Sequence, residues 1–191
     1  KRADRESSEG AVIATVNNKN DNGAIISLNC ETDFVGKNES FVNLAKKISE
    51  IALSCDTIDQ LFNSNFDDKM SVKEKLTEQT GVIGEKIEIG SFVKIKSNFV
   101  GSYIHAGNKI ATLVGLSESF EGCGEVAKNI AMQAAAMNPI ALDEKGVSKE
   151  VIKKEIEIAK EQLRSEGKPE NMLENISKGK LKKFFKENTL I

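Results

Sequence analysis

The spacing of the apolar residues changes along the chain, and this change limits the possible folds more than any other feature. The stretches 11–30 and 86–116 contain short runs rich in β-branched residues, which are typical of strands. Between and after them, apolar residues recur every three to four positions, as on one face of a helix. The sequence therefore predicts an α+β fold with small antiparallel sheets covered by helices.

The first predicted element is a β-hairpin. AVIATV and GAIISLNC are β-rich, and the NNKNDNG between them consists of turn formers centred on Asn22-Gly23. Residues 41–52 then have helical spacing, and either Asn38 or Ser40 suits the N-cap. The residues between the second strand and this helix form a strand-to-helix loop.

Two further short helices are predicted from capping patterns. Thr57 with Gln60, and Ser71 with Glu74, have the spacing of a capping box. We expect the second of these helices to end at Gly81, because glycine is frequent at helix C-termini.

A second β region is predicted from residue 86. The odd-numbered apolar residues from 87 to 95 alternate with polar ones, and VGSYIH and KIATLVGL flank a tight turn at Gly107-Asn108. We interpret the glycines of EGCGE as the entry to an alanine-rich helix that packs closely and ends before Pro139.

From residue 147 onward, two charged helices with narrow apolar seams are predicted, separated by GKP. The seam residues are Val151, Ile152, Ile156, Ala159 and Leu163, then Met172, Leu173, Ile176, Leu181, Phe184 and Phe185. Neither seam is stable in water, so we expect a protruding antiparallel coiled-coil hairpin. The predicted domains are an N-terminal core subdomain (11–85), a C-terminal core subdomain (86–146) and this hairpin (147–189).

Composition excludes several classes of function. The net charge of -2 provides no general attraction to DNA or to an anionic membrane. No apolar run approaches the roughly 20 residues that span a bilayer. Three widely spaced cysteines favour reduced, mostly buried thiols. We expect a cytoplasmic protein with neither a membrane nor a DNA partner.

The sequence also lacks the usual components of an enzyme. It has one histidine, no G-x-x-x-x-G-K-[ST] motif, and no obvious basic residue beside Cys123. We therefore expect no enzymatic activity, no cofactor and no direct nucleotide binding. A thiol enzyme that uses Cys30 or Cys123 is the least favoured alternative.

Phe34 and Val35 lie in the otherwise polar stretch NCETDFVGKNE. A large apolar side chain there needs cover from the protein's own core or from another molecule. In the first case the ring folds back over the helix at 41–52 as a hydrophobic staple, with Asp33 or Asn38 as a cap. In the second case the ring belongs to an interface.

Five segments, in order over nearly the whole chain, resemble one family. They are NCETDFV, TGVIGEKIEI, SYIHAGNKIATLV, KNIAMQAAAMNP and GKPENMLENISKGKLKKFF. They are similar to bacterial translation elongation factor Ts, and TDFV at 32–35 is the most specific. The resemblance implies guanine-nucleotide exchange on elongation factor Tu, the GTPase that delivers aminoacyl-tRNA to the ribosome.

The resemblance also implies a set of contact residues. In the family, the aspartate and phenylalanine of TDFV, here Asp33 and Phe34, enter the GTPase domain of the partner, where the ring wedges between helices beside the magnesium and phosphate site. The partner-binding residues that the resemblance implies are Thr32, Asp33, Phe34, Val35, Ile83, Gly84 and His105.

The sequence differs from the family pattern at both ends. Residue 1 falls after the place of a small N-terminal helical module that also touches the partner, and the chain ends where the family usually completes its second core subdomain. We expect the missing closing strand to lower stability near 86–116, and binding to be weaker than that of an intact protein. The alternative function is a non-exchanging interaction scaffold that uses the hairpin at 147–189.

Overall fold

Helices and small antiparallel sheets alternate through residues 4–191, which the computed structural model describes. The mixture of helices and small antiparallel sheets predicted from the sequence is confirmed. The elements are β1 (Glu9–Val16), β2 (Asn22–Cys30), α1 (Asp33–Gly36), α2 (Glu39–Ala52), α3 (Ile58–Asn63), α4 (Val72–Ile83), β3 (Glu88–Lys96), β4 (Phe99–Ile104), β5 (Ala111–Leu116), α5 (Cys123–Met137), α6 (Lys149–Ser165) and α7 (Glu170–Asn188). These residues divide after Ala135 into two units.

β1 and β2 form the predicted hairpin, but its turn differs from the prediction. Gly23 lies in the strand opposite Val16, and the turn is stabilised instead by Asn17, whose Oδ1 accepts from the amides of Asp21 and Asn22 at 3.1 Å. A Cβ on Gly23 would lie 2.9 Å from the side chains of Val100 and Leu113. Glycine at position 23 therefore permits packing against β4 and β5, and placing the turn there was wrong.

β3 joins the same sheet as the third strand, in the order β1-β2-β3. The register with β2 shifts at Ser27 and Leu28, which leaves Gly90 without a partner. This bulge reverses the alternation: Ile89 is buried, but Val93 is 56% exposed and Phe92 packs on the core. A single face running from Ile87 to Ile95 was therefore a wrong prediction.

The core of this sheet is covered by α2. Asn38 is the N-cap, since its Oδ1 accepts from the amide of Ser40 at 2.9 Å. The apolar face predicted for this helix is buried against β1 and β2 at Phe41, Leu44, Ala45, Ile48 and Ala52. β2 and α2 lie on either side of the segment that carries Phe34. Because both pack in the core, the two ends of this segment are fixed in position.

The caps of α3 and α4 only partly match the prediction. The Ser71–Glu74 capping box is present, whereas the Gln60 side chain accepts from Asp56 and not from Thr57. α4 continues through Gly81 and ends at Gly84, which has φ 84°. The predicted end at Gly81 was wrong because the left-handed residue that stops the helix comes three positions later.

β4 and β5 form the predicted second hairpin, with Gly107 and Asn108 in the left-handed region of its turn. The alanine-rich α5 packs closely on it: Ala127 and Ala131 are buried, and a Cβ on Gly101 would lie 2.5 Å from that of Ala127. α5 begins within EGCGE and ends before Pro139, as predicted.

The second unit contains α6 and α7, which pack against each other across a short turn. Ala159, Leu163 and Leu173 are buried between them, but Val151 and Met172, both predicted seam residues, are exposed. The coiled-coil geometry and the three domain boundaries stay predictions. Within residues 4–191, none of the helices is long and apolar enough to span a bilayer.

Candidate functional site

Phe34 lies in the single helical turn α1, and its side chain is 84% exposed. Val35 is half-buried against the core and Gly36 is buried, so the turn is anchored on one side and presents the ring on the other. The staple alternative is wrong, because a ring folded over α2 would be covered. Phe34 is thus an apolar side chain held in solvent by a folded segment.

The turn is stabilised at both ends by the residues that flank it. Thr32 is the N-cap, and its Oγ1 accepts from the amide of Val35 at 3.5 Å. Asp33 forms an ion pair with Lys37 at 2.7 Å. The hydrogen bond and charge of Lys37 hold the pKa of Asp33 below its usual value, so this carboxylate is ionised at neutral pH.

α1 also rests directly on β1. A Cβ on Gly36 would lie 3.1 Å from the carbonyl oxygen of Gly10 and 3.2 Å from its Cα. A larger residue at position 36 would therefore push the turn away from the sheet. Gly36, which follows TDFV, therefore allows α1 to approach β1 closely. This close approach fixes the position of Phe34 relative to β1.

The segment after α4 holds the same turn through Glu85. Its Oε2 accepts from the amides of Glu31 and Thr32 at 3.0 Å, and its Oε1 accepts from Thr32 Oγ1 at 2.7 Å. In return, Glu31 Oε1 accepts from the amide of Lys86 at 2.7 Å. The structure thereby brings two predicted contact segments together, TDFV and Ile83-Gly84.

Cys30 also forms a hydrogen bond to the N-cap residue of the turn. Its Sγ donates to the carbonyl oxygen of Thr32 at 3.1 Å. Burial, together with the nearby charge of Glu85, raises the pKa of this thiol to about 11. A protonated, buried thiol is a poor nucleophile, which argues against the alternative of a thiol enzyme at Cys30.

The third predicted segment, the β4–β5 turn, reaches the start of β1. Asn108 O accepts from the amide of Val12 at 2.8 Å, and Lys109 forms an ion pair with Glu9. The charge of Lys109 also contributes to the low pKa of Asp33. The three segments therefore converge on one region: α1 and the β4–β5 turn both contact β1, and Ile83-Gly84 is joined to α1 through Glu85.

His105 lies at the base of this turn and is exposed. Its Nδ1 is 2.9 Å from the hydroxyl of Tyr103, and its amide donates to the Ile110 carbonyl at 2.8 Å. The bond to Tyr103 orients the imidazole ring without covering it.

Some exposed apolar residues next to the predicted contacts were missed from the sequence. Val82 is 74% exposed beside Ile83, and Ile110 is 45% exposed at the end of the β4–β5 turn. Ile83 itself is only partly buried and packs on the core. The exposure of Val82 could have been predicted from helical spacing, because Val82 lies off the face of α4 that contains the buried residues Val72 and Leu76.

Comparison with known proteins gives a consistent result. The profile of the family described as Elongation factor TS matches residues 31–191. An elongation factor Ts of Christiangramia forsetii is 62% identical over 191 residues, which is all of this chain and 69% of the relative. The proteins of the same name from Flavobacterium psychrophilum and Amoebophilus asiaticus are 58% and 47% identical, each again aligned over 69% of its length.

Proposed function

This chain belongs to the elongation factor Ts family, and on that basis we propose that it accelerates the release of GDP from elongation factor Tu during translation elongation. It makes and breaks no covalent bond in this role. The observation that carries the proposal is the 84% exposure of Phe34 on a turn whose other side is anchored. Burying a phenylalanine stabilises a complex by roughly 1.5 to 3 kcal/mol, so the ring is a suitable anchor for a partner.

The mechanism is a difference in affinity. If the chain binds nucleotide-free elongation factor Tu more tightly than the GDP-bound form, it weakens GDP binding by the same factor, because coupling between two ligands is reciprocal. GDP then dissociates faster. When new nucleotide binds, the factor leaves, so it changes the rate of exchange and not the final ratio of GDP to GTP.

We assign the main contact to Phe34, which inserts beside the magnesium and phosphate site of the GTPase domain. Backbone amides and a bound Mg²⁺ supply much of the binding energy of a diphosphate, so displacing the elements that hold them weakens GDP strongly. Asp33, charged at neutral pH, orients the turn and approaches the same site.

The other contacts surround this anchor. Thr32 and Val35 belong to the same turn, and Ile83-Gly84 is joined to it through Glu85. His105 offers an exposed imidazole ring at the base of the β4–β5 turn. We further propose that α6 and α7 form an antiparallel coiled-coil hairpin.

Stopped-flow fluorescence tests the proposal. A fluorescent GDP is loaded on elongation factor Tu, and its release into excess unlabelled GDP is followed with increasing amounts of this chain. We expect the release rate to rise with concentration and then saturate. A chain that binds elongation factor Tu and leaves the release rate unchanged would be an interaction scaffold instead.

A further inference from the structure

We propose that Glu85 is a positioning residue for exchange, acting through the turn that carries Phe34. This inference deepens the proposed function and rests on it. Nothing in the sequence motifs gives Glu85 a role, since its hydrogen-bond partner Thr32 lies 53 positions earlier in the chain.

The first argument is that α1 has little stability of its own. A helix of four residues contains too few internal hydrogen bonds to offset the entropy of its nucleation. Its conformation therefore depends on bonds from outside. Glu85 supplies three of them, to two consecutive backbone amides and to the hydroxyl of the N-cap.

The second argument concerns the hydroxyl group of Thr32, which makes two hydrogen bonds. Its hydroxyl donates to Glu85 Oε1 at 2.7 Å and accepts from the amide of Val35 at 3.5 Å. Glu85 thereby fixes the rotamer in which Thr32 caps α1. Without the carboxylate, the hydroxyl can rotate, and the amides of Glu31 and Thr32 lose their acceptor.

The third argument is reciprocity between two segments. Glu85 follows the Gly84 cap and bonds to the Thr32 segment, while Glu31 bonds back to the amide of Lys86. The two proposed contact segments therefore move together. A surface that is already ordered before binding loses less entropy in the complex, so the bond pair favours insertion of Phe34.

Glu85→Ala tests the idea, and Glu74→Ala is the matched control. Glu74 also accepts two bonds, from the amide and hydroxyl of Ser71, but at the opposite end of α4. We expect Glu85→Ala to slow GDP release about tenfold, corresponding to the loss of the three hydrogen bonds that hold the turn. Glu74→Ala loses a cap of similar strength and leaves the release rate unchanged.

Two conservative variants separate geometry from charge. In Glu85→Gln, the amide oxygen still accepts from both backbone amides and the NH₂ group donates to Thr32 Oγ1, so we expect rates near those of the unaltered chain. In Glu85→Asp, the charge stays but the side chain is one methylene shorter. We expect slower exchange from this variant, which also serves if Glu85→Ala folds poorly.

A double-mutant cycle asks whether Glu85 acts through Phe34. Combined with Phe34→Ala, the Glu85→Ala change should cause no further loss, because the ring that it positions is gone. Losses that multiply in the double variant would show an independent, general effect and would overturn the inference.

Hydrogen exchange provides a readout without the partner. The amides of Glu31 and Thr32 should exchange faster in Glu85→Ala than in the unaltered chain or in Glu74→Ala. Equal protection in all three proteins would contradict the inference. If the unaltered chain fails to accelerate GDP release, the proposed function fails, while this exchange pattern still decides whether Glu85 holds the turn.

Discussion

At the scale of single residues, the site is an apolar ring supported by polar neighbours. Phe34 makes no core contact, while Thr32, Cys30 and Glu85 bond to one another or to the backbone beneath it. The structure thus separates the anchored side of the turn from its exposed side. Under the proposed function, substitutions at the supporting residues act through the position of the turn, whereas Phe34 contacts the partner and Asp33 orients the turn beside it.

Asp33→Asn should slow GDP release, but less than Phe34→Ala does. The Asp33–Lys37 ion pair is on the surface, where solvent screens such pairs and they stabilise only weakly. Stopped-flow release with each variant compares the two effects. A larger loss for Asp33→Asn would show that charge, and not the ring, dominates recognition.

The raised pKa of Cys30 predicts a change of stability at alkaline pH. A thiol whose pKa is higher in the folded state stabilises fully below its unfolded pKa, and this contribution is lost as the pH rises toward about 11. We therefore expect the free energy of unfolding to fall between about pH 9 and 11. In Cys30→Ser, the hydroxyl still donates to Thr32 but does not titrate there.

Urea unfolding at several pH values distinguishes the two proteins. The fall should be smaller in Cys30→Ser than in the unaltered chain, because the serine hydroxyl does not ionise in this pH range. Parallel curves would mean that Cys30 titrates normally in the folded state.

At the scale of elements, glycines account for several of the differences between expectation and structure. Gly23 was expected in a turn and Gly81 at a helix end, but the first allows side chains of β4 and β5 to approach and the second lies inside α4. A glycine can be needed for its backbone conformation or for its lack of a side chain. Which of the two applies depends on residues that are distant in sequence but close in the fold, so it cannot be predicted from the local sequence.

The glycines of α4 give a matched pair of substitutions. Gly84 has φ 84°, whereas Gly81 is helical, and a Cβ at either position would meet no atom of residues 4–191 within 4 Å. We expect Gly84→Ala to destabilise by about 1 kcal/mol and Gly81→Ala to stabilise by about 0.5 to 1 kcal/mol. Equilibrium unfolding in urea measures both, and equal effects would place the end of α4 elsewhere.

At the scale of the whole molecule, periodicity predicted the element types and the helix that covers the first sheet. It could not predict that β3 pairs with β2, because Ser27 and Ser91 are 64 positions apart. Nor could it predict the bulge at Gly90. The same holds for the candidate site. The sequence showed that Phe34 is a large apolar residue in a polar stretch, but not that Glu85 supports its turn, because Glu85 and Thr32 are 53 positions apart.

The second unit offers a test between exchange and scaffold functions. Leu173 is 2% exposed and Met172 is 49% exposed on the same helix. Leu173→Ala should destabilise the α6–α7 pair by about 2 to 5 kcal/mol, and Met172→Ala should have little effect. We expect both to leave accelerated GDP release intact. Loss of binding in Leu173→Ala alone would favour the scaffold.

The most direct test of the central claim is the rate of GDP release with Phe34→Ala. Phe120→Ala is the matched control, because Phe120 is also an exposed aromatic residue, 50% accessible, outside the three converging segments. Removing a ring that the partner would bury predicts a release rate about tenfold to a hundredfold slower for Phe34→Ala, and no change for Phe120→Ala. An undiminished rate with Phe34→Ala would contradict the assignment of the ring as the element that drives exchange.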